Sequence, residues 1–226
     1  MSDWASYQIQ DFIPFTADVY FRLLARMGET FWPLQMVTLL AGLLALYLSL
    51  TGRARLALVL IAPLWVLIGV AFFAQRYSGL NWAGAHLCWV WIVQGVFLLL
   101  LAITRWGVDS GNSAPLSSPP VQAGLLIGLC GLFGFPLLGV ALGNDVRSVE
   151  VFGLHPDPTA AVTLGLLLIG VRGGAMWLAT LVPALWLIVS ALTLRVLDAP
   201  WYPALLVIVV VAMTGGMATH HLRTVR

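Results

Sequence analysis

The stretch WPLQMVTLLAGLLALYLSLTGRARLALVLIAPLWVLIGVAFFA, residues 32–74, decides the fold. It is two long apolar runs, 32–51 and 54–74, split by a short turn holding Arg53 and Arg55. A helix crossing a hydrocarbon core of about 30 Å needs roughly 20 apolar residues. Each run meets that length. Hydrocarbon offers the backbone no hydrogen-bond partners, so such runs must satisfy their own as helices.

Working outward, segments 84–104, 121–142 and 175–194 read the same way. Segment 201–218 is slightly short but sharply bounded by Trp201-Tyr202-Pro203. Segment 158–171 offers only about 21 Å of helix. It spans if Arg172 snorkels, or it forms half of a re-entrant hairpin with 175–194. The expected fold is therefore an all-α, polytopic integral membrane protein with about seven transmembrane helices. Composition agrees: 61% of the 226 residues are hydrophobic, 9% are charged, and the mean hydropathy is +0.97. Soluble domains average about 45–50% apolar and about 25% charged, so a soluble or disordered chain is excluded. Eleven basic residues, all Arg, nearly balance nine acidic ones. That leaves no basic patch for nucleic acid and no polybasic lipid anchor.

Residues 1–31 precede the first span and carry Asp3 and Asp11 where a secretory signal would be basic. Within them, Val19, Tyr20, Leu23, Leu24 and Met27 share one helical face, and Asp18, Arg22, Arg26 and Glu29 the other. This predicts an amphipathic helix in the membrane interface, packed on the bundle. Arg53, Arg55, Arg105, Arg172, Arg223 and Arg226 fall on the side opposite the N-terminus. Two of them occupy the tight first loop, where the positive-inside rule weighs most. The expected placement is N-terminus outside and residues 219–226 in the cytoplasm.

Two stretches look alike at a near-constant offset. Pro33…Val37-Thr38-Leu39, Pro63, Arg76 and Trp82 align with Pro158…Val162-Thr163-Leu164, Pro183, Arg195 and Trp201. This suggests a parallel 3+1+3 repeat: 32–104, a mobile cytoplasmic linker 105–120, a connector helix 121–142, and 158–218. Chance alignment of Leu-rich spans explains the likeness equally well. Gly124, Gly128 and Gly131 in the connector allow close helix approach, within the bundle or to another subunit.

No Asp, Glu or Arg falls firmly inside the expected spans, which counts against a charge-coupled pump. Gln35, Thr38, Gln94 and Thr163 are the neutral groups that would line a solute path; tying helices together is their commoner use. Gln75, Arg76, Tyr77, Asn81, Trp82 and Asp157 gather on the N-terminal side as an external polar pocket, with Arg76 a partner for Asp157. A plainer reading makes Asp157 the cap of a helix starting at Pro158, and the aromatics interfacial anchors. His86, Cys88 and His155 are the only metal-ligating candidates, without paired ligand spacing. No nucleophile elbow, phosphate loop or cofactor motif occurs, so no catalytic residue and no cofactor is assigned.

The strings Trp32-Pro33-Leu34-Gln35, Gln75-Arg76-Tyr77…Asn81-Trp82 and Val151-Phe152-Gly153-Leu154…Pro156-Asp157-Pro158-Thr159 resemble an uncharacterised family of bacterial inner-membrane proteins over about residues 8–195. The resemblance implies a multi-pass protein of the bacterial inner membrane and transfers no activity. The three-one-three layout is similar in architecture alone to SWEET-type sugar facilitators. Three functions follow as expectations. The first is a transporter or facilitator for a small, neutral or weakly polar solute. The second is a non-enzymatic subunit that partners a second copy or another membrane protein, and the third a membrane enzyme or metal handler.

Overall fold

The structure is a computed structural model that describes residues 9–109, 111 and 114–224. After a short 3-10 turn (Ile9–Phe12) come α1 (Ala17–Thr30), α2 (Leu34–Leu50), α3 (Ala54–Ile68) and α4 (Ala83–Thr104). Next are α5 (Pro119–Leu129), α6 (Phe135–Ala141), α7 (Pro156–Gly170), α8 (Gly173–Val196) and α9 (Tyr202–Thr224). Helix α3 runs on through a π-helical turn, Gly69–Ala74, and a second one, Cys130–Gly134, joins α5 to α6. Four segments are long and apolar enough to cross a membrane: Ala54–Gly79, Ala83–Thr104, Pro119–Ala141 and Gly173–Val196. A fifth arises if α1 and α2, bent by 89° at their junction, are taken as one. The protein is thus all-helical with four or five candidate membrane spans. Helices α7 and Tyr202–Ala218 of α9 are apolar but shorter.

Helix α7, the shortest expected span, is the centre of the molecule. Each of its 15 residues is buried, and it touches α2, α3, α5, α8 and α9. A helix wrapped on all sides has no lipid to match, so its length is set by its neighbours and not by the bilayer. Close packing around it uses small residues. A Cβ on Gly165 would stand 2.4 Å from the Gly124 carbonyl oxygen and 2.7 Å from the Gly128 nitrogen. A Cβ on Gly131 would stand 2.7 Å from the Val162 side chain. The glycine face of α5 therefore meets α7, while Leu126, Leu129, Phe133 and Leu137 turn outward.

The two ends of α7 are closed by side chains. At its C-terminus the Arg172 guanidinium donates to the carbonyls of Leu168 (2.8 Å), Ile169 (2.8 Å) and Val171 (2.9 Å), and pairs with Asp109 at 3.1 Å. Four of a helix's last carbonyls lack intrahelical partners, and a cation there also suits the helix dipole. The segment after α4 is docked at this end. Val108 bridges Val171, Arg172 donates its N–H to the Gly107 carbonyl, and Ala114 its N–H to that of Leu50. The described part of the linker is therefore tied down where the sequence suggested a loose loop; residues 110, 112 and 113 lie outside the described ones.

At the N-terminus of α7 the structure corrects a boundary. The helix begins at Pro156, which takes the first-turn position expected of Pro158, and His155 holds the cap position. Asp157 therefore sits inside the helix, 4% exposed, where the sequence suggested a cap outside it. The expectation that no carboxylate lies buried among the apolar helices fails with it.

The two stretches of the suggested repeat occupy unlike surroundings. Helix α2 exposes Met36, Val37, Leu40 and Leu44, whereas α7 exposes nothing. The middle of the bundle is filled by aromatic rings. Trp65 of α3 stacks on Trp91 of α4 at 4.1 Å, and Trp186 of α8 meets Phe73 at 5.0 Å and Trp91 at 5.8 Å.

Candidate functional site

The residues Val151–His155 lead into α7 as a fully buried hairpin-like turn. Gly153 turns it with φ of +81°, a conformation that a β-carbon disfavours, and its N–H donates to Thr159 Oγ1 at 2.7 Å. His155 Nδ1 accepts the Val151 N–H at 3.1 Å, so its Nε2 must carry the proton that faces the Leu24 carbonyl at 3.0 Å. That bond ties the turn to α1. Burial holds the imidazole neutral, down to about 4. Both ring nitrogens are engaged, which leaves none for a metal.

Behind the turn, the Asp157 carboxylate is held by two side chains of α8. Trp186 Nε1 donates to one oxygen at 2.7 Å and Ser190 Oγ to the other at 2.6 Å. Trp186 and Ser190 are one helical turn apart, so a single face of α8 supplies both. Tyr20 of α1, 3% exposed, brings its phenol close to Ser190, and burial together with the Asp157 and Glu150 carboxylates raises it well above the ordinary tyrosine range. Glu150 stands at the edge of this cluster, half-buried. Burial first, and then the Asp157 charge, push its carboxyl well above the usual carboxylate range.

Glu150 also opens onto a cavity of about 290 Å³. Phe21, Leu24, Phe135, Leu138 and Trp201 give it apolar walls, and Asn144 and Ser148 are the neutral polar residues of its lining. Glu150 is the one charged residue in its lining. A pocket of this kind, mostly apolar with a few convergent polar groups, suits a small organic molecule.

The expected pocket residues are placed elsewhere. Arg76 donates to the Ala71 carbonyl and lies over the Phe31 ring, 5.4 Å from its centroid. It does not meet Asp157, whose oxygens are taken by α8. Asn81 donates to the Phe12 carbonyl at 3.0 Å and accepts from the Ala83 N–H at 2.9 Å, so it starts α4 and pins the N-terminal segment. Tyr77 is buried among Phe15, Phe72 and Phe73. Gln75 is exposed, and Trp82 is 76% exposed.

Three of the four expected path residues bond across the bundle, and the fourth, Thr38, bonds within α2. Gln35 Nε2 donates to the Arg147 carbonyl and Gln94 Nε2 to that of Ala179, each at 2.8 Å. Thr38 donates to the Gln35 carbonyl at 3.0 Å. Thr163 donates to the Thr159 carbonyl at 2.8 Å and accepts from Trp65 Nε1 at 3.0 Å. None of the four lines the Glu150 cavity. His86 is exposed and edges onto Trp82, Cys88 is buried, and His155 is in the turn below α1. No cluster of three metal-ligating side chains occurs among the described residues.

Sequence reasoning named Asp157, and Glu150 within the loop 144–157 as part of an external pocket, but missed Tyr20 and Trp186. The i,i+4 spacing of Trp186 and Ser190 was the available signal; nothing in the sequence said which helix they face. No curated protein matches the chain, and no solved structure does. A family model matches residues 17–224, nearly the whole described chain, and on that match the protein belongs to DUF6064, a family of unknown function.

Proposed function

We propose that the protein is a small membrane transporter or facilitator, and that its solute docks in the cavity beside Glu150. In this reading the shorter apolar helices α7 and α9 cross with the longer ones, giving seven crossings of a bacterial inner membrane, with the N-terminus and the cavity on the periplasmic side and the C-terminus in the cytoplasm. The observation that carries the reading is a half-buried carboxyl group opening onto an apolar cavity, with a second, fully buried carboxylate close behind it. Intramembrane and near-membrane ionisable groups are costly, and they mark ligand and ion pathways by default.

The raised Glu150 carboxyl favours its protonated form, which offers one donor and one acceptor. Together with the aromatic walls, this suits a neutral, weakly polar solute bearing a hydroxyl or an amide. Gln35, Thr38, Gln94 and Thr163 serve helix packing in this conformation. Passage inward then requires a second conformation in which α1 and the 149–155 turn move from the mouth of the cavity.

The test is a thermal-shift screen of purified protein against small alcohols, amides and polyols, followed by liposome flux for any hit. A solute at about 100 times its Kd should add roughly 2.7 kcal/mol of stability. The expected result is a shift with one chemical class that Glu150→Leu abolishes while the variant stays folded. Absence of any shift and any flux would overturn the transporter reading in favour of an assembly subunit.

A further inference from the structure

A second concavity lies on the other flank of α1. It is an open groove of about 530 Å³, lined by Arg22 and Arg26 of α1 and by Arg76 from the turn after α3. Val19, Leu23 and Leu80 supply an apolar strip along it. No acidic side chain belongs to this lining. Arg22 and Arg26 are one turn apart on the same face of the helix, and neither guanidinium forms an ion pair or a hydrogen bond among the described residues. Asp18 and Glu29, their neighbours on α1, do not neutralise them through contact. Three guanidinium groups are thus held around one groove without a counter-ion among the described residues.

The position of the groove narrows the class of anion. Helix α1 makes an angle of 89° with α2. If α2 runs across the bilayer, α1 runs along its surface, and the groove opens at headgroup depth. Guanidinium forks match phosphate oxygens in bidentate geometry. Val19, Leu23 and Leu80 lie beside the arginines in the same groove and offer apolar contact to an attached acyl chain. A zwitterionic headgroup would bring a further cation among three already present; a headgroup of net negative charge would not.

We infer that the Arg22–Arg26–Arg76 groove is a binding site for the phosphodiester headgroup of an acidic phospholipid. The lipid supplies the missing counter-charge, and it fixes α1 against the bundle through Arg76.

The experiment titrates the full chain in a neutral detergent with dioleoylphosphatidylglycerol, dioleoylphosphatidylcholine or inorganic phosphate, and reads bound species by native mass spectrometry. Phosphatidylglycerol should bind at least tenfold more tightly than phosphatidylcholine. The double variant Arg22→Gln/Arg26→Gln should weaken it at least tenfold, with thermal stability in lipid-free detergent unchanged, because neither side chain bonds to the described residues. Arg195→Gln, exposed and outside the groove, should bind as the wild type does. Equal binding of the two lipids would overturn the proposal, as would retention of binding by the double variant or an equal loss in Arg195→Gln. Inorganic phosphate binding as tightly as phosphatidylglycerol would also overturn it, by showing a free-anion site.

Discussion

Replacing Gly165 by Ala tests the packing of the central helix. The new Cβ would lie 2.4 Å from the Gly124 carbonyl oxygen and 2.7 Å from the Gly128 nitrogen. Ordinary contact needs about 3.4 Å or more, so α5 and α7 must part by roughly 1 Å. Both obstacles are backbone atoms of a neighbouring helix, and no side chain can rotate out of the way. Overpacking of this kind costs about 1–3 kcal/mol. The gain in helix propensity from Gly to Ala offsets up to about 1 kcal/mol. The net expectation is a loss of about 1–2 kcal/mol.

Gly215→Ala is the matched control. Its Cβ would meet Leu168 at 3.4 Å, an ordinary contact, so the propensity gain acts alone. That variant should be neutral or stabilised by up to about 1 kcal/mol. The assay is equilibrium unfolding in mixed micelles, followed by the summed fluorescence of the ten tryptophans. A Gly165→Ala protein as stable as Gly215→Ala would refute the close approach of α5 to α7.

Two further outcomes follow from the ends of that helix. Arg172→Gln removes three carbonyl bonds and the Asp109 pair, and water replaces part of the loss, so a decrease of about 2 kcal/mol is expected by the same unfolding assay. A change within experimental error would show that the cap is decorative. His155 titrates at about 4 in the folded protein against 6.5 when free, so below pH 6.5 the unfolded chain takes up a proton that the folded one refuses. Wild-type stability should therefore fall, relative to His155→Gln, by about 3 kcal/mol between pH 6.5 and 4. The raised Glu150 works in the opposite sense and is common to both proteins. Parallel pH profiles would show that His155 is not buried neutral.

Helix positions were largely legible in the sequence, because a run such as 84–104 has no other way to satisfy its backbone in lipid. The face of α1 was legible in part: Tyr20, Leu24 and Met27 are buried as their spacing implied, whereas Val19 is exposed and shares the arginine groove with Leu23. The order of packing was not. In a soluble bundle the buried face differs from the wet one, whereas here core and lipid are both apolar. Nothing in Pro156–Gly170 distinguishes a helix that touches only protein from one that touches lipid. Its shortness was the one available clue, and it read equally well as a re-entrant half. Asp157 illustrates the same limit. Its sequence neighbours suggested a cap, and its partners lie 29 and 33 positions further along the chain.

The enclosure of α7 also constrains how the molecule is assembled. Helices α2, α3 and α5 leave the ribosome before it, and α8 and α9 after it. During synthesis α7 must therefore emerge with one side still uncovered, its Asp157 carboxylate made before the Trp186 and Ser190 donors exist. Only when α8 folds back does that charge acquire its partners, and only α9 closes the remaining flank. Assembly of this bundle is thus a delayed commitment: its innermost element is secured by the helices made after it.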